Sequence, residues 1–108
     1  MGLKNLPTEE PAALASLIDA APGTVASMAL SRLDDACSLS LLAFSAGESV
    51  SEEAYEGDTL YYLVEGEADI RLPGRAARLR AGEVLAVGAG TLHAVEPAGA
   101  VKLLQLTM

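Results

Sequence analysis

The run Glu65-Gly66-Glu67-Ala68-Asp69-Ile70-Arg71-Leu72-Pro73-Gly74-Arg75-Ala76-Ala77-Arg78-Leu79-Arg80-Ala81-Gly82 carries a two-residue period on both sides of a turn. Ala68, Ile70 and Leu72 alternate with Glu67, Asp69 and Arg71; beyond Pro73-Gly74, Ala77 and Leu79 alternate with Arg78 and Arg80. Successive strand side chains point to opposite faces, so each segment reads as a half-buried strand with one wet face. Pro73 presets φ and Gly74 accepts a positive φ, the chemistry of a type II turn. Outward from this hairpin, turn signals recur at Pro22-Gly23, Asp34-Asp35, Ala46-Gly47, Gly57-Asp58, Gly88 to Gly90 and Ala98-Gly99. The spacing leaves room for strands and none for crossover helices, which predicts an all-β sandwich or barrel. Residues 24–30, 38–44, 60–64, 84–87 and 101–106 are more continuously apolar, and are expected to be inner strands covered on both faces.

The first residues follow another pattern. Thr8 suits an N-cap, Glu9 and Glu10 suit the positive end of a helix, and Pro11 is tolerated in a first turn. Leu14, Leu17 and Ile18 then recur at helical spacing until Pro22-Gly23 stops them. The expectation is an N-terminal arm over 1–22 with a short amphipathic helix, ahead of one barrel domain over 23–108. The helix stripe must cover the flank of that domain or a second subunit.

With 108 residues, 51% of them hydrophobic, the chain suits one core and is too apolar for intrinsic disorder. Its formal net charge of −8 disfavours nucleic acid and anionic lipid, both of which select a Lys/Arg surface. Cys37 is the lone cysteine, so no intrachain disulfide forms, and it reads as a small buried strand residue in a reducing compartment. No apolar run approaches the ~20 residues that span a bilayer, and the start lacks a basic region followed by an apolar one. A cytoplasmic protein with no membrane partner is expected. The serines have no second His, nor a Lys at motif spacing, and Gly88 to Gly90 follows no phosphate-binding pattern, so neither nucleophilic catalysis nor phosphate binding is implied.

Two stretches resemble the signatures of the cupins, small double-stranded β-helix barrels of the jelly-roll group. In the first, Gly47 and Gly66 frame Glu56-Gly57-Asp58 and Leu60-Tyr61-Tyr62-Leu63-Val64-Glu65-Gly66-Glu67, similar to the family's habitual stretch. In the second, Gly82, Gly90 and His93 fall at the family's separations, with Gly88 where a Pro is usual. The resemblance implies a cupin-type jelly-roll barrel, a homodimer, and a site at the barrel mouth. A metal-binding cupin uses two His and one Glu from the first signature and one His from the second. Those positions carry Glu53, Tyr55, Thr59 and His93 here. With one histidine in the chain, the family's ligand set is lost or incomplete, and no cofactor is expected beyond a weakly bound divalent metal on His93 and Glu53.

The preferred expectation is therefore a small-molecule-binding cupin with ligand contacts at Glu53, Tyr55, Thr59, Tyr61 and His93. The alternative is a metal-dependent isomerase or dioxygenase using His93 and Glu53, with His93 as the catalytic candidate. One of Tyr61 and Tyr62 must face inward, since they are adjacent on a strand. Eight acids without a Lys or Arg between residues 48 and 69 favour a neutral or cationic ligand over an anion, although a solvated face accounts for most runs of this kind.

Overall fold

A computed structural model describes residues 2–32 and 36–108. Among the described residues eight strands form two sheets: β1 (Val25–Ala29), β2 (Ser38–Phe44), β3 (Thr59–Glu65), β4 (Glu67–Leu72), β5 (Arg75–Arg80), β6 (Val84–Val87), β7 (Ala94–Pro97) and β8 (Val101–Thr107). A five-stranded sheet has the order β1-β2-β8-β3-β6, and a three-stranded sheet the order β5-β4-β7. All pairings between strands are antiparallel, the arrangement of a jelly-roll sandwich.

The hairpin predicted from the two-residue period is β4-β5, with Leu72 paired to Arg75 across Pro73-Gly74. Gly74 has φ +75°, the sign a type II turn requires at that position. Ala68, Ile70 and Leu79 are buried, while Asp69 and Glu67 meet Arg78 on the wet face at 2.8 and 3.1 Å. Part of the acidic run is thus neutralised across strands. Glu65 likewise approaches Lys102 at 3.8 Å.

Two apolar clusters hold the molecule. Between the sheets lie Phe44, Tyr61, Leu63, Ala68, Ile70, Leu79, Val87, Val95, Val101 and Leu103. Each large side chain of this kind contributes roughly 1.5–3 kcal/mol when fully buried. On the outer face of the larger sheet, Leu41, Ala43, Leu39, Met28, Val64 and Leu104 are covered by Leu6, Leu14, Leu17 and Ile18 of the arm. The arm's apolar stripe therefore covers the flank of its own domain. It does so without an α-helix: only Leu14–Ser16 forms a 3-10 turn. Glu9 has φ +61°, which breaks the expected helix start, and Ala13 is extended. Further on, the Ala15 carbonyl accepts from Lys102 Nζ, although in an α-helix it would pair with the amide four residues ahead. A segment this short has too little helical stability of its own to resist such docking.

Two other expectations need correction, and a third is untested. Residues 84–87 are not covered on both faces: Val84 is 58% exposed, because β6 is an edge strand. Cys37 is half-buried and free, one residue before β2 rather than on a strand. The Asp34-Asp35 turn lies outside the described residues.

Candidate functional site

Antiparallel pairing arranges the inner face of the larger sheet in rows. One row runs Ala29, Ser40, Gln105, Tyr61, Leu85 across β1, β2, β8, β3 and β6. The row before it holds Leu42, Leu103 and Leu63; the row after it holds Ser38, Thr107 and Thr59. The face is apolar at one end and hydroxyl-bearing at the other.

The segment between β2 and β3 crosses the mouth of the sandwich and is tied to the loop between β6 and β7. Glu53 and His93 form an antiparallel bridge, with N–H to O distances of 2.8 and 2.9 Å in the two directions. The Gly90 amide donates to the Tyr55 carbonyl at 2.8 Å, and the Ala89 amide to Asp58 Oδ1 at 2.9 Å. This strap brings together residues forty apart in sequence. Glu53, Tyr55, Tyr61 and His93 surround a hollow of about 100 Å³, floored by Leu42, Phe44, Val95 and Leu103 and bordered by Gln105.

His93 is 3% exposed and both ring nitrogens are engaged. Nδ1 is 2.8 Å from the Thr91 carbonyl oxygen, which can only accept, so Nδ1 carries the proton. In the neutral ring Nε2 is then the acceptor, and the Tyr61 hydroxyl 2.7 Å away donates to it. Tyr61, 2% exposed, is the inward member of the tyrosine pair. Burial, reinforced by the nearby Tyr55 hydroxyl and the Glu53 carboxylate, holds the Tyr61 phenol well above the usual tyrosine range, so it remains a donor. Tyr55 donates to Glu53 Oε2. Its phenol is also raised, first by burial and then by that carboxylate, against an opposing hydrogen bond from Gln105. The His93 ring lies 5.6 Å from Tyr61 in an edge-on arrangement and 5.9 Å from Tyr55.

Four of the five expected ligand residues thus meet at one hollow. Thr59 does not line it: the side chain is on the same face of β3 as Tyr61 but one row away, buried and 3.4 Å from the Thr107 hydroxyl. Inner-face neighbours on one strand stand roughly 7 Å apart, which a threonine cannot span. Gln105 was missed because 101–106 reads as continuously apolar; its parity with Val101 and Leu103 was the available signal.

As a metal centre the donor set is poor. Among the described residues no three His, Cys, Asp or Glu side chains cluster to hold an ion. The one imidazole has its Nε2 lone pair occupied by Tyr61, and Thr59 stands where the family places a carboxylate. Chemically, the hollow presents a carboxylate, two phenols and an imidazole over an apolar floor. No helix among the described residues is long and apolar enough to cross a membrane.

No family model matches this chain, and no curated protein matches it. Solved structures do. A conserved protein of unknown function from Streptococcus pyogenes superposes with TM-score 0.90 at 18% identity, covering 98% of this chain and 92% of that one. A cupin 2 conserved barrel domain protein from Leptotrichia buccalis superposes with TM-score 0.88 at 21% identity, over 97% of this chain and 50% of that one. A cupin superfamily protein from Desulfitobacterium hafniense is 47% identical, with TM-score 0.95, over 100% of this chain and 98% of that one. Identity at that level over the full length, on the jelly-roll and signature glycines already described, makes this chain a member of the cupin superfamily.

Proposed function

We propose that this cupin binds a small neutral or cationic molecule in the hollow beside His93, without the family's usual metal centre. The supporting observation is the occupation of both imidazole nitrogens, Nδ1 by the Thr91 carbonyl and Nε2 by the Tyr61 hydroxyl. A metal ligand must offer a free lone pair, and this ring has none to offer while Tyr61 donates to it. The hollow contains the Glu53 carboxylate and no Lys or Arg, so an anionic ligand would meet no counter-charge. A ligand hydroxyl or ammonium group would donate to Glu53, and its carbon skeleton would rest on Leu42, Phe44 and Leu103.

Elemental analysis of untagged protein purified without chelator tests this reading. Less than about one tenth of a divalent ion per chain is expected. Stoichiometric metal would overturn it in favour of the metal-dependent enzyme that uses His93 and Glu53.

The same reading includes a cytoplasmic homodimer, supported by family membership and by an apolar patch on the outer sheet. Leu60, Ala86, Leu106 and Met108 line an apolar recess there, next to exposed Val84. Sedimentation should give the mass of two chains, and Leu106→Glu should shift it to one. A wild-type monomer at micromolar concentration would rule the dimer out.

A further inference from the structure

The hollow beside His93 is short of hydrogen-bond donors. The Tyr61 hydroxyl gives its proton to His93 Nε2, and His93 Nδ1 gives its own to the Thr91 carbonyl. Tyr55 donates to Glu53 Oε2, and Gln105 turns its carboxamide toward the Tyr55 hydroxyl. The backbone amides of Glu53 and His93 are taken by each other's carbonyls. The side-chain hydrogens at the inner end of the hollow are therefore committed to the protein itself. What can still donate among the polar side chains of the lining is Ser51, exposed on the strap, and one N–H of Gln105 at the border.

Acceptors, by contrast, are left over. Tyr61, 2% exposed, donates through its hydroxyl to His93, and among the described residues that oxygen receives no hydrogen bond in return. A phenol oxygen can accept as well as donate. Glu53 engages Oε2 with Tyr55 and keeps Oε1 open, in a group whose two oxygens can take several donors. No Lys or Arg lines the hollow, so this charge is not neutralised from within. The floor is apolar, built of Leu42, Phe44, Val95 and Leu103, and offers nothing to a bare inorganic ion that must shed its water. The volume of about 100 Å³ is well below that of pockets for drug-sized molecules, so the occupant has few non-hydrogen atoms.

From this imbalance we propose that the occupant is a small primary alkylammonium ion, which brings N–H donors, no acceptor and a short carbon chain. Its ammonium group donates to Glu53 and to Tyr61 Oη beside the Tyr55 ring, and its chain lies on Leu42, Phe44 and Leu103. A carboxylate or carbonyl compound would bring acceptors to a place that already has them in excess; an alcohol would bring one donor and no charge. The assignment rests on the binding reading above and narrows it to one ligand class. Because Glu53 stands exposed, its pairing with the ammonium is screened by water, and a dissociation constant on the order of 1 mM is expected.

The test is a titration of the isotope-labelled full chain with n-propylammonium at constant ionic strength, followed by amide chemical shifts. The controls are 1-propanol, which keeps the chain without the charge, tetramethylammonium, which keeps the charge without an N–H, and propanoate. Propylammonium should give saturable shifts at Glu53, Tyr55, Tyr61 and His93, and should bind at least about fivefold more tightly than any control. Glu53→Gln, which retains the backbone bridge to His93 and an oxygen for Tyr55, should weaken binding by about fivefold, with a thermal melt establishing that the variant is folded. The proposal is overturned if propylammonium shifts none of these amides, if tetramethylammonium or 1-propanol binds as tightly, or if Glu53→Gln leaves binding unchanged. Shifts at the same amides from 1-propanol but not from propylammonium would remove the ammonium assignment while leaving the binding reading in place. Stoichiometric metal in the purified chain would instead remove the binding reading, and this assignment with it.

Discussion

Gly66→Ala is expected to lower the unfolding free energy by about 3–4 kcal/mol. Gly66 is the single residue between β3 and β4, where the chain leaves one sheet for the other. Its φ is +89°, and a Cβ there would stand 2.5 Å from the Ala100 carbonyl oxygen and 3.0 Å from Val101 Cγ2. The left-handed conformation alone costs an L-residue roughly 1–2 kcal/mol. The clash adds to this because the carbonyl belongs to backbone at the start of β8 and cannot swing aside. Gly74→Ala is the control: its φ is +75° but nothing lies within 4 Å of the added carbon, so only the conformational part should appear. Equilibrium urea unfolding of both variants measures the difference. Equal losses at the two positions would show that the crossover at Gly66 is not tightly packed against β8.

Tyr61→Phe is expected to cost about 2 kcal/mol at neutral pH, since it leaves a buried imidazole nitrogen without its hydrogen-bond donor. The phenylalanine ring fits the same space, so little of this comes from lost packing. The variant should also change the alkaline limb of the stability curve. Burial holds the folded-state Tyr61 phenol above its ordinary value of 10.0, so the native chain keeps that proton when the unfolded chain has lost it. Unfolding free energy must then fall as pH rises beyond about 10, and is fully maintained below that value. Tyr55, raised in the same direction, contributes part of this slope and remains in the variant. Tyr61→Phe should reduce the slope, as measured by urea unfolding between neutral and alkaline pH. A loss at neutral pH below about 0.5 kcal/mol would mean that the Tyr61–His93 hydrogen bond does not hold the site together, and an unchanged slope would mean that Tyr61 is not the buried phenol behind the alkaline loss.

How far these features were visible beforehand depended on whether they are local or collective. The β4-β5 hairpin was legible to the residue, because alternation and the Pro73-Gly74 turn act within a few positions. The motif glycines and His93 likewise fell where the resemblance placed them, and the strap across the mouth brought Glu53, Tyr55 and His93 together. The N-terminal helix was misjudged, although the arm does cover the flank of the domain. Its apolar spacing is satisfied equally by an irregular segment lying on the sheet, and Lys102, far away in sequence, takes the carbonyl the helix would need. Thr59 was assigned to the site by motif position, whereas row spacing along β3 places it elsewhere. Val84 read as an inner-strand residue because burial of β6 depends on its place at the sheet edge, which periodicity does not encode.

Chain chemistry alone established an all-β sandwich or barrel, a single imidazole and an acidic run free of Lys and Arg, since these follow from residue type, turn spacing and composition; it was the cupin resemblance that grouped Glu53 with His93. Tertiary structure decided which groups touch: that Tyr61 closes the second nitrogen of His93, and that Tyr55 reaches the Glu53 carboxylate. It also revealed that the inner sheet face turns from apolar to hydroxyl-lined at Ser40 and Gln105. The reason is geometric. A strand's own pattern tells which side chains share a face, but only cross-strand register and the reach of the opposing sheet tell which part of that face is packed and which part is left open.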